Sequence, residues 1–307
     1  MAAMPSAPSR DIQLISAPTD VGTNIVGAHR GPQALRDAHL VAALQAQGWH
    51  LEDAGDLDGP PQPQRPPLDG YRNLDAVIAW NRTVQQAVAQ ALAHRRLPLL
   101  LGGDHSLAVG SLSAVARHCR ATGTRLRVLW LDAHTDCNSQ NTSPSANLHG
   151  MPLACLRGLG PAALTELGGG APTLAADDVR LIGIRSMDRD EAPLVRALGL
   201  QVFDMAAVRR LGMPTVLGQA LSGVDQNTHL HVSLDVDFLD PQLAPGVSTA
   251  VAHGPSLREA QQCMALIAAS GRLGSVDVVE LNPQRDPDQR TAPLVVDLVA
   301  RMFAPSA

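Results

Sequence analysis

Asp132, His134 and Asp136 stand on alternate positions of the segment LDAHTDCN (131–138), directly after the apolar run RVLW. On an extended backbone alternate side chains project to one face, so two carboxylates and an imidazole would converge there. Such a convergence suits a metal ion. Comparable polar clusters end three other apolar runs: GGDHS (102–106) follows LPLLL, DVDFLDP (235–241) ends HLHVSL, and ELNP (280–283) follows DVV. Taken singly, each has an ordinary explanation. His105 would serve as a hydrogen-bonded loop residue, and Asp at a strand end is a common helix cap or turn former. Taken together they ask for more. Asp132 and Asp235 fall where a strand should still be buried, and a buried carboxylate is costly unless a cation or donor compensates it. The four carboxylates Asp132, Asp136, Asp235 and Asp237, with His105 and His134 and no thiolate, form a hard-to-intermediate set that suits Mn²⁺ or a similar divalent ion. A single catalytic zinc normally takes only about three protein ligands. Two ions about 3.5 Å apart, bridged by carboxylates and a hydroxide, account better for so large a set.

The elements that must position these residues follow from periodicity. Strand candidates are 11–17, a short WHL (49–51), 97–101, 125–131, 179–184, 200–205, 229–236 and 274–281. Helical periodicity lies between them at 32–47, 73–94, 106–121, 189–198, 213–222, 256–270 and 291–303. This alternation predicts an α/β fold of three layers, α/β/α, around a mostly parallel sheet of roughly eight strands. In such sheets ligands bind beyond the carboxyl ends of the strands, which is where all four polar clusters fall. DGPPQPQRPPLDG (58–70) is too rich in proline for a helix or central strand and reads as a surface loop. ELGGGAPTLAADD (166–178) reads as another. With no repeat and no linker, residues 11–307 are expected to form one domain behind a short disordered tail, 1–10.

Composition narrows the function classes. Hydrophobic content of 45% with 17% charged residues fits a globular protein, and aromatics at 2% leave the core to Leu, Val, Ala and Ile. All 24 basic side chains are Arg, and the net charge of −5 argues against nucleic-acid or membrane-surface partners. The four Cys form no C-x-x-C pair, which fits a reducing compartment, with the cytoplasm as the expected location. The N-terminus lacks a signal-peptide pattern, and no apolar run approaches the ~20 residues that span a bilayer.

Taken in order, GAHRGPQALRDAHL (27–40), GGDHS, DAHTD, NLHGMP (147–152), SLDVDFLDP and ELNP resemble the ureohydrolase family, the manganese enzymes that include arginase and agmatinase. The resemblance runs nearly end to end, and the DAHTD and SLDVDFLDP pair is its most specific part. It implies the arginase/deacetylase-like fold and two Mn²⁺ ions, with Co²⁺, Ni²⁺ or Fe²⁺ as possible substitutes. His105, Asp132, Asp136 and Asp235 would hold one ion. Asp132, His134, Asp235 and Asp237 would hold the other, so Asp132 and Asp235 bridge. A hydroxide between the ions would attack a guanidinium carbon, with Asp136 accepting its proton as a hydrogen bond. Glu280 resembles the family's guanidinium anchor, its ordinary alternative being a salt-bridged strand-end residue. His149 resembles the histidine that protonates the departing amine.

For the far end of the substrate, Asn138, Ser143, Ser145 and Asn147 match in spacing the residues that bind the α-carboxylate of arginine, although each could be an ordinary turn residue. Asp188 would accept from the α-amino group, Glu191 would act through water, and Thr249 falls at a substrate-side threonine. Two departures bear on substrate choice: Ser186 stands where arginases often have Asp, and APGVS (244–248) is shared with formimidoylglutamase-type relatives. The expectation is an arginase, converting L-arginine and water to L-ornithine and urea. Agmatinase, guanidinobutyrase or formimidoylglutamase chemistry at the same metals is the alternative, and a catalytically inactive binding homologue is a reading of a different class. The family also implies a homo-oligomer, trimer or hexamer. Cys137 should point away from the metals as a structural residue, and His231, four before Asp235, could support the site from behind.

Overall fold

The computed structural model describes residues 10–63 and 65–305, so the expected tail lies, apart from Arg10, outside the described residues. The first part of the chain runs through β1 (Asp11–Ala17), α1 (Gly31–Asp37), α2 (Leu40–Ala46), β2 (His50–Asp56), α3 (Leu74–Ala93) and β3 (Leu97–Gly102). Then follow α4 (Ala108–Thr122), β4 (Arg125–Leu131), α5 (Pro152–Leu156), α6 (Ala162–Thr165), β5 (Val179–Ile184), α7 (Glu191–Ala197) and β6 (Gln201–Asp204). The last part holds α8 (Met205–Leu211), α9 (Met213–Ala220), β7 (Thr228–Asp235), α10 (Leu257–Ala269), β8 (Leu273–Val279) and α11 (Thr291–Met302).

The strands form one eight-stranded sheet in the order β2-β1-β3-β8-β7-β4-β5-β6, and every pairing is parallel. Both faces are buried, which is why the central strands read as continuous apolar runs. In β3, Leu99 and Leu101 join one apolar cluster with α1, α2, α10 and α11, while Leu100 joins a second with α3 and α4. Pro98 is tolerated in this central strand because pairing with β8 starts only at Leu99.

Several boundaries depart from the sequence expectation for identifiable reasons. The helix expected over 32–47 is two helices, since His39 takes a left-handed φ of 65° and breaks the run. The strand expected to reach residue 205 stops at Asp204, whose carboxylate caps α8 by accepting from the Ala207 N–H at 2.7 Å. Helices α5, α6 and α8 were not expected. The short WHL strand is in fact β2, an edge strand whose mostly exposed, charged residues carry no apolar signature.

The sheet order gathers the chemistry. The four polar clusters follow β3, β4, β7 and β8, and these are the four central neighbours β3-β8-β7-β4. Because all strands point the same way, the clusters meet along one edge of the sheet.

Candidate metal centre and substrate cleft

His105 Nδ1 lies 3.2 Å from an Asp132 oxygen, 2.9 Å from Asp136 and 3.2 Å from Asp235. His134 Nδ1 lies 3.0 Å from Asp237 and 3.6 Å from Asp132. Two groups that could each hold a cation result: His105, Asp132, Asp136 and Asp235, and beside it Asp132, His134 and Asp237. Asp132 is common to both. Asp235 joins only the first, and its second oxygen accepts the Asp237 N–H at 2.7 Å.

The convergence arises differently from the expected strand alternation. β4 ends at Leu131, and Asp136 takes a left-handed φ of 49°, so a tight irregular loop turns the three side chains inward. Glu280 is also left-handed, at φ 65°. Non-glycine residues pay of order 1–3 kcal/mol for such conformations, and they persist where the surroundings over-determine them. Gly103 shows the crowding: a Cβ there would fall 1.7 Å from the Thr19 carbonyl oxygen.

The donor set fits a divalent cation. His105 is wholly buried, its Nε2 is 2.8 Å from the Ser233 hydroxyl, and its Nδ1 has no hydrogen-bond partner although three carboxylates face it. With Nε2–H donated to Ser233, the Nδ1 lone pair points at oxygen lone pairs, an arrangement that is repulsive unless a cation sits among them. The protonation preferences of the protein alone carry the same signature. Burial and the charge of Asp132 push the Asp136 carboxyl up to about 7. Burial works against a charged His134, yet Asp237 and Asp132 outweigh it and raise the imidazole to about 12.

Supporting contacts fix the side chains of this cluster. Trp130 Nε1 donates to Asp132 at 2.9 Å and its ring stacks on His105 with centroids 4.2 Å apart. The Ala133 N–H donates to Asp237 at 3.1 Å, and the Thr249 hydroxyl donates to the same carboxylate at 3.0 Å. Arg185 spends its guanidinium on backbone carbonyls, among them Asp237 at 2.8 Å and Val251 at 2.9 Å, tying the loop after β7 to the segment carrying Thr249. Trp130, Ser233 and Arg185 were not singled out from sequence. Ser233 had a legible signal, lying two residues before Asp235 on the same strand face. The polar atoms of His231 face β8, Nδ1 lying 2.8 Å from Ser275 and Nε2 3.4 Å from Asp277.

Beside the cluster, His149 Nδ1 is 2.9 Å from Glu280 Oε1, which also accepts the His105 N–H at 2.9 Å. Burial disfavours a charged His149, but the Glu280 carboxylate prevails and raises it to about 9. Glu280 Oε2 is buried and has no partner. A cleft of about 120 Å³ opens above, lined by His134, Asp136, Asp235 and His149. Asn138, Ser143, Ser145, Asn147, Asp188, Glu191 and Thr249 all line it too, as does Ser186. Asn138 Nδ2 donates to Asp188 at 2.9 Å. Glu191 accepts the backbone N–H of Cys137 at 2.8 Å and of Asp188 at 3.2 Å, so it braces the Asp188 loop. Cys137 is buried in apolar packing, where burial raises its thiol pKa.

A family model described as the arginase family matches residues 10–304. The chain is 40% identical over 297 residues to an arginase of Bacillus caldovelox, covering 96% of this chain and 98% of that one. It is 38% identical over 296 residues to an arginase of Brevibacillus brevis, with the same two coverages. Among solved structures, the B. caldovelox arginase superposes with a TM-score of 0.89 at 39% identity, covering 95% of this chain and 98% of that one. An Entamoeba histolytica arginase in complex with L-ornithine superposes at 0.85 with 29% identity, over 96% of this chain and 99% of that one. A buried cluster of Asp and His at the carboxyl edge of an all-parallel sheet, in a chain matching these relatives from end to end, leads to one assignment: the chain belongs to the arginase family of hydrolases.

Proposed function

We propose that this protein hydrolyses L-arginine to L-ornithine and urea, using two manganese ions. The observation that carries the reading is that one cleft is lined both by His134, Asp136 and Asp235 of the Asp/His cluster and by His149, whose Nδ1 is held by the buried Glu280 behind it, and by hydroxyl, amide and carboxylate groups. His105, Asp132, Asp136 and Asp235 would hold one ion and Asp132, His134, Asp235 and Asp237 the other. Two divalent cations supply Lewis acidity that makes water nucleophilic near neutral pH.

The protein's own groups do the rest. The free Oε2 of Glu280 accepts an N–H of the substrate guanidinium and fixes the carbon that is attacked. Asp136 accepts a hydrogen bond from the attacking water, and His149, held protonated by Glu280, gives a proton to the departing amine. At the rim Asn138, Ser143, Ser145 and Asn147 form the carboxylate end, and Asp188 accepts from the α-amino group. Glu191 acts through Asp188 or water, and Thr249 acts through Asp237. The L-ornithine complex of the E. histolytica relative supports an amino-acid ligand.

We further propose a single domain over residues 11–307 working in the cytoplasm as a trimer or hexamer, an assembly that light scattering would measure. Among the described residues no helix is long and apolar enough to cross a membrane.

The test is urea release by manganese-loaded protein on L-arginine, agmatine and guanidinobutyrate at equal concentration. The expected result is a kcat/KM at least about 100-fold higher for L-arginine, since rim groups built to pair with polar atoms reject a substrate that lacks them. Equal or better turnover of agmatine, which keeps the amino group but lacks the α-carboxylate, would retain the metal chemistry and remove the roles given to Asn138, Ser143, Ser145 and Asn147.

A further inference from the structure

Pro60 and Gln62, in the proline-rich stretch legible in sequence only as a surface loop, are fastened to the body of the protein. Trp80 Nε1 donates to the Pro60 carbonyl at 2.9 Å, and Gln62 donates to the carbonyls of Asp20 at 2.8 Å and Thr23 at 2.7 Å. The same segment then delivers Tyr71 and Arg72 to the loop between DAHTD and NLHG. The Tyr71 hydroxyl donates to Gln140 at 2.6 Å. The Arg72 N–H donates to the Ala146 carbonyl at 2.8 Å, and Arg72 Nε donates to Asn147 Oδ1 at 2.8 Å. Asn147 Nδ2 donates in turn to Asn24 at 2.7 Å, so its amide is held at both ends.

What Arg72 grips decides where two hydroxyls point. The N–H of Ala146, a residue at φ 58°, donates to Ser143 Oγ at 3.0 Å, and the N–H of Asn147 donates to Ser145 Oγ at 3.2 Å. Each hydroxyl therefore already accepts a backbone hydrogen bond, and the long contact between the two, in which either can donate, is weak enough to be exchanged for donation to a ligand. Two such donors, with oxygens 3.5 Å apart at the rim of the cleft, suit the two oxygens of a carboxylate.

We propose that Arg72 is a specificity-determining positioning residue: with its backbone N–H on Ala146, its guanidinium holds Asn147 and so aims the hydroxyls of Ser143 and Ser145 at the α-carboxylate of the substrate. The proposal rests on the reading of L-arginine as substrate. Arg72 itself does not line the cleft.

The experiment compares manganese-loaded wild type, Arg72→Ala and Arg72→Lys on L-arginine and agmatine, with manganese content and thermal unfolding measured alongside. Where agmatine turnover is too slow to fit, its inhibition constant takes the place of KM. Arg72→Ala is expected to raise KM for L-arginine about tenfold, the scale of a lost hydrogen bond from a charged donor. Its kcat should stay within about twofold, with agmatine constants and manganese content unchanged. Arg72→Lys keeps the charge but lacks the Nε–H and should behave like the alanine variant. An unchanged KM, an equal loss on both substrates, or full rescue by lysine would overturn the proposal, the last by assigning Arg72 a purely electrostatic role. If wild type prefers agmatine, the arginine reading fails and takes this inference with it. If wild type prefers arginine and Arg72→Ala matches it, only this inference fails.

Discussion

Asp136 and His134 show what crowding carboxylates at one point does to single side chains. In the protein alone both are raised, to about 7 by burial and Asp132, and to about 12 by Asp237 and Asp132 against burial. Both shifts favour the protonated forms, and each group must lose that proton to become a ligand. The sign follows: lowering the pH through 7 weakens metal binding, and raising it strengthens binding. Titration calorimetry of chelator-treated protein with Mn²⁺, run in buffers of different ionisation enthalpy, is expected to show release of about one proton or more per protein between pH 6.5 and 8. Binding without proton release would show that His134 and Asp136 already stand deprotonated in the metal-free protein.

Loops after β3 and β4 and the end of β7 carry the candidate metal-holding side chains, but loops by themselves hold no fixed geometry, and Arg185 shows how the one after β7 is fixed. Its guanidinium bridges the carbonyls of Asp237, Phe238 and Leu239 after β7 to Val251 and Ala252 in the Thr249 segment. Groups behind a ligand that set its orientation typically contribute about 10–100-fold to metal affinity. Arg185→Ala is expected to lower Mn²⁺ affinity by about that factor while tryptophan fluorescence and helical circular dichroism stay native. An unchanged Mn²⁺ dissociation constant would show that the Asp237 loop holds its shape without the clamp. The expected strand alternation at 132–136 fails at this same scale, because the left-handed Asp136 depends on contacts distant in sequence.

Over the whole molecule, the sheet is sandwiched, and its two faces are independent stores of stability. Leu100 and Leu101 are adjacent in β3, each 0% exposed, and they belong to different apolar clusters. Truncating a buried leucine costs about 2–5 kcal/mol through lost transfer energy and the cavity left behind. Leu100→Ala and Leu101→Ala are each expected to lower stability within that range in urea denaturation, with Leu101→Ala acting through α1, α2, α10 and α11 and Leu100→Ala through α3 and α4. A negligible loss in either variant would mean that its face is not a packed core.

What the sequence by itself determined were properties carried by local pattern. The eight strands, their alternation with helices and the Asp and His clusters that the fold brings together were legible because strand ends, helical periodicity and polar clusters are encoded over a few adjacent residues. Tertiary structure alone decided the strand order that makes β3, β8, β7 and β4 neighbours, so that clusters separated by more than a hundred residues meet. It also decided the left-handed turns at His39, Asp136 and Glu280, and the helices α5, α6 and α8, which are too short to show a period. The supports Ser233, Trp130, Arg185 and Arg72 belong to the same class. Their side chains are ordinary in type and local spacing, and only the packing of distant segments gives each one a ligand or loop to hold.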